Sequence, residues 1–215
     1  MKGAVIVNEI FTSIQGETVS AGRPCTFVRL TGCNLRCSYC DTAYAFHEGH
    51  EKPIAGILDE VSERGVRFVT VTGGEPLLQE GAFDLVAALL DRGCEVQVET
   101  SGAVDTAGLD PRARVILDVK TPGSGESGRM IEGLVPGLRP GDEAKFVIVD
   151  RADYEFARSY VRAGRIPRGV TVLFSPAHAE LEPKTLAGWI LADALDVRLQ
   201  LQIHKYIWGA ERRGV

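Results

Sequence analysis

The sequence lacks an excess of positive charge: 24 Lys and Arg stand against 29 Asp and Glu, a net charge of −5 over 215 residues. That balance gives no general basic surface for a phosphate backbone, so no nucleic-acid partner is expected. Long apolar runs are missing as well. Runs such as residues 115–117 and 170–174 fall far short of the ~20 residues needed to cross a bilayer, so no membrane partner is expected. The opening segment from Met1 to Ile10 holds one Lys and an apolar patch broken by Asn8 and Glu9, without a small-residue cleavage site. A cytoplasmic location is therefore expected. There is no internal repeat, and no low-complexity tail beyond the charged Glu211-Arg212-Arg213 end. What is present, 45% hydrophobic and 25% charged side chains, is the makeup of one domain over residues 1–215 with a sizeable core. Disorder, collagen-like repeats and a small disulfide scaffold are excluded.

Apolar, β-branched runs at 26–30, 67–71, 95–98, 114–119, 145–149 and 170–174 predict six buried strands. Helical patterns lie at 53–64, 82–92, 153–162 and 183–195, with Phe156 and Tyr160 at i,i+4 and Pro183 suited to a first helical position. Strands alternating with helices predict an α/β fold with a parallel sheet. The order fits either a doubly wound sheet or a barrel shortened from eight units to about six. Residues 121–141, rich in Gly, Pro and Ser without an apolar period, predict a long surface connection of the kind that often covers a site.

Five cysteines in a reducing compartment are expected as free thiols, and three of them, Cys33, Cys37 and Cys40, form C-x3-C-x2-C directly after a predicted strand. Parallel α/β folds place their chemistry at such strand ends. Two metal readings stay open from the spacing. A zinc site would take a fourth ligand from Cys25, Asp41, His47 or His50. A 4Fe-4S cluster held by three cysteines would instead leave one iron free for a substrate or cofactor. Cys25 and Cys94 read as small core residues.

The cysteine loop, with aromatic Tyr39 before its last thiol, resembles the signature of radical S-adenosylmethionine (SAM) enzymes, and Thr72-Gly73-Gly74-Glu75-Pro76 is similar to the superfamily's segment that binds the methionine amino group. Paired glycines allow close backbone approach, and Glu75 is able to accept from an ammonium. The segments Phe11–Glu17, Phe27–Cys37, Cys40-Asp41-Thr42, Glu99–Gly102, Asp118–Thr121, Lys145–Val147, Phe174–Pro176 and Gln202–Trp208 resemble the 7-carboxy-7-deazaguanine synthase family over nearly the whole chain. The resemblance implies a shortened, partly open (β/α)6 barrel. It also implies a lyase that rearranges 6-carboxy-5,6,7,8-tetrahydropterin to 7-carboxy-7-deazaguanine with loss of ammonia, a step towards queuosine and related 7-deazapurines. The implied cofactors are a 4Fe-4S cluster, SAM and Mg2+. SAM would yield a 5′-deoxyadenosyl radical that takes hydrogen from the pterin C6 and later returns it. A flavodoxin-like or other electron donor and a homodimer are implied too.

Carried onto this chain, the resemblance implies cluster ligation by Cys33, Cys37 and Cys40, and a SAM site of Tyr39, Cys40, Asp41, Gly74, Glu75, Asp118, Val119 and Lys120, with Ser175 and His178 as further candidates. It implies substrate contacts from Ile14, Gln15, Gly16, Glu17, Arg29 and Thr72, and Mg2+ at Thr42. A guanidinium suits a planar carboxylate. A single hydroxyl needs substrate oxygens and water to complete an octahedron. Competing readings are a structural Arg29 paired with Glu17 or Glu99, and His204 and Lys205 as a polar chain end. His47 and His50 carry no assigned role. The chain departs from the family where Thr18 follows Gln-Gly-Glu in place of the usual Gly, where Tyr39 replaces the frequent Trp, and where it continues past the His-Lys segment from Gly209 to Val215. No substrate contact is assigned to that extension. The rivals to the lyase are an activase that places a glycyl radical on a partner protein and a non-catalytic zinc-binding module.

Overall fold

The computed structural model describes residues 3–215. All six predicted strands form, and they pair in parallel as one run: β2 (Pro24–Leu30), β4 (Phe68–Gly73), β5 (Glu95–Thr100), β6 (Arg114–Asp118), β7 (Glu143–Ile148) and β8 (Thr171–Pro176). The sheet has nine strands, because β1 (Ala4–Ile14) pairs antiparallel with β2, β3 (His50–Pro53) pairs antiparallel with β1, and β9 (Arg198–Leu199) extends β8. Its order is β3-β1-β2-β4-β5-β6-β7-β8-β9, and the two ends do not pair. The barrel is therefore open and the doubly wound alternative is not adopted, since each parallel strand adds beside its predecessor and the order never reverses.

Four helices occupy crossovers: α1 (Ile54–Arg64), α2 (Gly81–Asp91), α3 (Arg151–Arg162) and α4 (Pro183–Ala192). In α1 the buried residues Ile54, Ile57, Leu58 and Val61 follow the i, i+3, i+4, i+7 spacing, and Gly65 stops the helix at φ +73. Asp150 caps α3 by accepting from the Asp153 amide, two residues earlier than the apolar pattern predicts. The segment 121–141 is a surface connection, as predicted, anchored at a few buried positions. It contains two 3-10 turns, and Thr121, Ser124, Val135 and Leu138 are buried.

The strand period of two sorts the sheet into two chemistries. One face packs under the helices: Val28 and Leu30, Val69 and Val71, Val96 and Val98, Val115 and Leu117, then Ala144, Phe146 and Ile148. The opposite positions on the same strands carry Arg29, Thr70 and Thr72, Gln97 and Glu99, Asp118, then Glu143 and Lys145. A polar inner wall is thereby built against a continuous apolar outer layer. No helix among the described residues is long and apolar enough to cross a membrane.

Candidate active site

A cavity of about 640 Å³ opens inside the sheet. Its lining includes Cys33, Cys37 and Cys40 together with Ile14, Gln15, Glu17, Arg29, Thr72, Tyr39, Asp41, Thr42, Gly74, Asp118, Lys120, Ser175 and His178. Sixteen of the nineteen residues singled out from the sequence thus share one space. Gly16, Glu75 and Val119 do not line it. Gly16 sits behind Glu17, where a Cβ would overlap the His204 imidazole. The Val119 side chain packs into the outer core, and its amide donates to the Lys145 carbonyl at 2.8 Å. Glu75 is completely buried and accepts from the amides of Leu77 (3.1 Å) and Ser101 (2.7 Å) and the hydroxyls of Thr100 (2.9 Å) and Ser101 (2.5 Å). Its carboxylate fixes the turn after β4 from behind, because the extended Glu75 backbone caps a 3-10 turn at Pro76–Leu78 and aims the side chain inward.

The cysteine loop leaves the C-terminal end of β2 and is held from both sides. Gly32 donates to the Ala45 carbonyl and accepts from the Glu75 amide, both at 2.9 Å. Ser38 donates its amide to Ser124 and its hydroxyl to Gly123, while the Arg36 amide donates to Glu126. The Gly-rich segment 121–141 therefore clasps the loop. Burial pushes the Cys33 and Cys37 thiols above their ordinary range, and Lys120 opposes the shift at Cys37. Among the described residues no three His, Cys, Asp or Glu side chains converge on a single ion position. A structural zinc ion needs such convergence, whereas the ligands of an iron-sulfur cluster bind different irons and need only border a shared space.

The residues also fit a polar cofactor beside the thiols. The Tyr39 hydroxyl and Asp118 Oδ1 are buried without a hydrogen-bond partner, on residues that line the cavity. Gly74 packs so closely on the loop that a Cβ would come 2.5 Å from Cys33 Cβ and from the Gly32 oxygen. Asp118 Oδ2 is held by Lys120 at 2.8 Å, and the Lys120 ammonium lies 5.6 Å from the centre of the Tyr39 ring.

Beside Asp118, its register partner on β6, Lys145 from β7 meets Glu17 from the β1–β2 turn in an ion pair. Burial would raise the Glu17 carboxyl, but Lys145 prevails and holds it below its ordinary range; the same pairing holds the Lys145 ammonium high against its own burial. Glu99 is pushed the other way, first by burial and then by the Glu17 charge. It accepts from the Thr72 hydroxyl at 2.9 Å. Gln15 is fixed by donating to Thr70 at 3.0 Å and accepting from the Glu17 amide at 3.0 Å. Arg29 pairs with neither Glu17 nor Glu99: its Nε lies 2.8 Å from Glu9 Oε1, which also accepts from the Tyr44 hydroxyl at 2.8 Å. The partner comes from β1, a strand that the apolar pattern does not predict. Asp41 is held well below the ordinary carboxylate range: Lys205, 2.6 Å away, outweighs its burial.

Several lining residues were not assigned site roles from the sequence. Phe11 and Phe27 are directly opposed on β1 and β2, with rings stacked at 4.8 Å, and form a flat apolar wall. Aromatics at paired strand positions become visible only once β1 is known. His204 and Lys205 line the cavity from α5 (Ile203–Trp208) and are not merely a polar chain end. Gln202 tethers that helix by donating to Glu17 at 2.8 Å and Asp41 at 3.2 Å. The extension after Gly209 also reaches the lining, with the Arg213 guanidinium 3.9 Å from the centre of the Tyr44 ring. Thr18 adopts φ +64, the left-handed region that favours glycine, so this β-branched residue sits there under backbone strain.

Residues 27–121 match the radical SAM superfamily. The 7-carboxy-7-deazaguanine synthase of Chlorobaculum tepidum is 44% identical, over 97% of this chain and 96% of that protein, and the synthase of the same name from Thermoplasma acidophilum is 37% identical over 95% and 98%. The crystal structure of QueE from Escherichia coli shares the fold, with a TM-score of 0.77 over 93% of this chain and 94% of that one at 22% identity. With near full-length relatives at these identities, three thiols at the mouth of a partly open barrel and a polar cavity below them, this chain belongs to the 7-carboxy-7-deazaguanine synthase family of radical SAM enzymes.

Proposed function

We propose that this chain binds 6-carboxy-5,6,7,8-tetrahydropterin between the stacked Phe11–Phe27 pair and the charged inner wall, and converts it to 7-carboxy-7-deazaguanine with release of ammonia. The observation that carries the reading is the juxtaposition, in one cavity, of the three thiols with the Glu17, Lys145 and Glu99 group. When bound, the 4Fe-4S cluster and SAM supply the radical that starts the rearrangement. Everything else falls to the chain: binding, orientation and the exclusion of water. Gln15 and Glu17, ordered by Thr70, Lys145 and Gln202, face the amide-like edge of a flat heterocycle. Glu99, whose raised proton affinity sets it apart from Glu17, is suited to hold a proton that Glu17 does not. Arg29 is suited to the substrate carboxylate, in exchange for or together with its Glu9 contact.

For Mg2+ the reading assigns Thr42. Its hydroxyl donates to Asp41 at 2.8 Å, which leaves oxygen lone pairs for a hard cation completed by substrate oxygens and water. The activase and zinc-module readings are not favoured, because near full-length relatives are 7-carboxy-7-deazaguanine synthases. A flavodoxin-like or other one-electron donor, a cytoplasmic location and action of the whole chain as one unit complete the proposal. The unpaired β9 edge and, separately, the exposed Tyr206, Ile207 and Trp208 of α5 support a homodimer.

The test is anaerobic turnover of the tetrahydropterin by reconstituted protein with SAM and reductant. Deuterium at the substrate C6 is expected to pass into SAM, and many products are expected per SAM. One SAM consumed per product, or unchanged pterin with an intact cluster, would overturn the reading.

A further inference from the structure

Strand β7 carries one carboxylate, two residues before Lys145 and on the same face. Glu143 is completely buried, lies outside the cavity lining and takes no part in the chemistry proposed above. Its Oε2 accepts from the Val19 amide at 3.0 Å, at the tip of the turn that carries Gln15 and Glu17. Its Oε1 has no hydrogen-bond partner. The nearest cation is Arg114 Nη1 of β6 at 3.9 Å, and that same nitrogen donates to Ser20 Oγ of the turn at 3.1 Å. The two oxygens of one carboxylate therefore address the same turn, one directly and one through Arg114. At the turn's base, the Gln15 amide donates to the Arg23 carbonyl and Gly22 to the Gln15 carbonyl, both at 2.8 Å. Between base and tip sit the left-handed Thr18 and the Glu17 that pairs with Lys145.

We propose that Glu143 is a positioning residue for substrate binding, which sets the place of Glu17 by anchoring the tip of its turn to the same strand that carries Lys145. With both ends of the Glu17–Lys145 pair referred to β7, a shift of the turn moves Glu17 relative to its partner and to the substrate edge. Burial and the charge of Glu99 on β5 raise the Glu143 carboxyl, while the Val19 amide, Arg114 on β6 and Arg198 on β9 lower it, and the balance leaves it pushed up to about 7. Above that pH the ionised carboxylate is the stronger acceptor for Val19 and draws on Arg114; below it, both ties to the turn weaken.

The kinetic arm rests on the lyase reading, and a second arm does not. Glu143→Leu and Glu143→Gln are compared with the unaltered protein, each with its cluster reconstituted. In the Leu variant, amide hydrogen exchange across residues 15–23 is expected to quicken roughly tenfold, and KM for the tetrahydropterin to rise by about the same factor with kcat changed less. In the Gln variant, which still accepts from Val19, both are expected to return close to the unaltered values at pH 7. KM of the unaltered protein is expected to fall as pH rises from about 6 to 8, and the Gln variant is expected to lack that dependence. Unaltered exchange of 15–23 in the Leu variant, or the same pH dependence in the Gln variant, would overturn the proposal. If the Leu variant does not fold, the Gln variant decides by that pH dependence. If the unaltered protein does not turn over the pterin, the lyase reading fails, while exchange of 15–23 against pH in the unaltered and Gln proteins still decides the role of Glu143.

Discussion

Replacing Glu75 separates two roles for a carboxylate that sequence and structure assign differently. As a SAM ligand it would face the cofactor; in the fold it is completely buried and receives donors from Leu77, Thr100 and Ser101. Glu75→Gln keeps the shape but turns an amide NH2 towards groups that are themselves donors. One charge-assisted bond is worth ~1.5–3 kcal/mol, and a buried donor left without an acceptor costs ~1–3 kcal/mol. Such terms are not additive within one network, so a loss of about 2–3 kcal/mol is expected for Gln and about 3–5 kcal/mol for Glu75→Ala. At about 2–4 °C per kcal/mol for a chain of this size, the Gln variant is expected to melt about 4–12 °C lower. The assay is thermal unfolding of cluster-free protein by circular dichroism under reducing conditions, paired with SAM binding to reconstituted protein well below the transition. Folded Gln variant is expected to bind SAM within a few-fold of the unaltered protein. An unchanged melting temperature together with a tenfold or greater loss of SAM affinity would refute the structural assignment and restore Glu75 to the cofactor.

Two further expectations concern the metals. Cys33→Ala, Cys37→Ala and Cys40→Ala are each expected to abolish the reconstituted cluster's absorption and iron content. Cys25→Ala is expected to retain both, because Cys25 is fully buried, lies 3.1 Å from the Thr70 hydroxyl and has its thiol pushed up to about 12 mainly by burial; cluster loss in that variant would refute the ligand set. Thr42→Val is expected to lower Mg2+-stimulated turnover about tenfold or more with cluster content and SAM affinity intact, since it removes the hydroxyl oxygen while keeping the shape. An unchanged Mg2+ response would remove Thr42 from the metal site.

What was legible in the sequence was what depends on local pattern. Short segments rich in β-branched and aliphatic residues alternate with helical patterns, so β2, β4, β5, β6, β7 and β8 stand out, and the thiol spacing is a local property of one loop. The antiparallel β1 was not legible: alternation fails where Asn8 and Glu9 fall beside a register shift between Val7 and Glu9, and the resulting irregularity masks an eleven-residue strand. Missing β1 hid two consequences, the Glu9 partner of Arg29 and the Phe11–Phe27 stack. The segment 121–141 is the predicted surface connection, and its few buried anchors are illegible for a different reason. Two of its buried residues, Thr121 and Ser124, are polar, with hydroxyls donating to the Val147 and Thr121 carbonyls, and the other two, Val135 and Leu138, are too few to make an apolar period. Glu75 shows the converse limit, since a residue type that suits a ligand equally suits a buried turn, and SAM affinity of Glu75→Gln decides between them.

The inner wall explains why this fold keeps so much charge out of water. Glu17, Glu99, Glu143, Lys145, Asp118 and Lys120 all project from the strand face opposite the helices, or from the turns that end it. Burying even well-paired ions is often no more favourable than burying apolar groups of the same volume, so such a wall is poor evidence of a drive for stability. Its cost is offset by the other face, where the valines, leucines and isoleucines of the same strands pack under α1, α2, α3 and α4. The wall divides its polar groups between two tasks. Glu17 and Lys145 pair with each other and hold a turn in place; next to Lys145 on the neighbouring strand, Asp118 Oδ1 is left without a partner, as is the Tyr39 hydroxyl of the cysteine loop. Unpartnered polar atoms bordering that loop suit the cavity to polar ligands on the cysteine side, with the ion pair fixing geometry in advance of binding. That division, more than any single residue, links the two-residue period of the strands to the radical chemistry of the family.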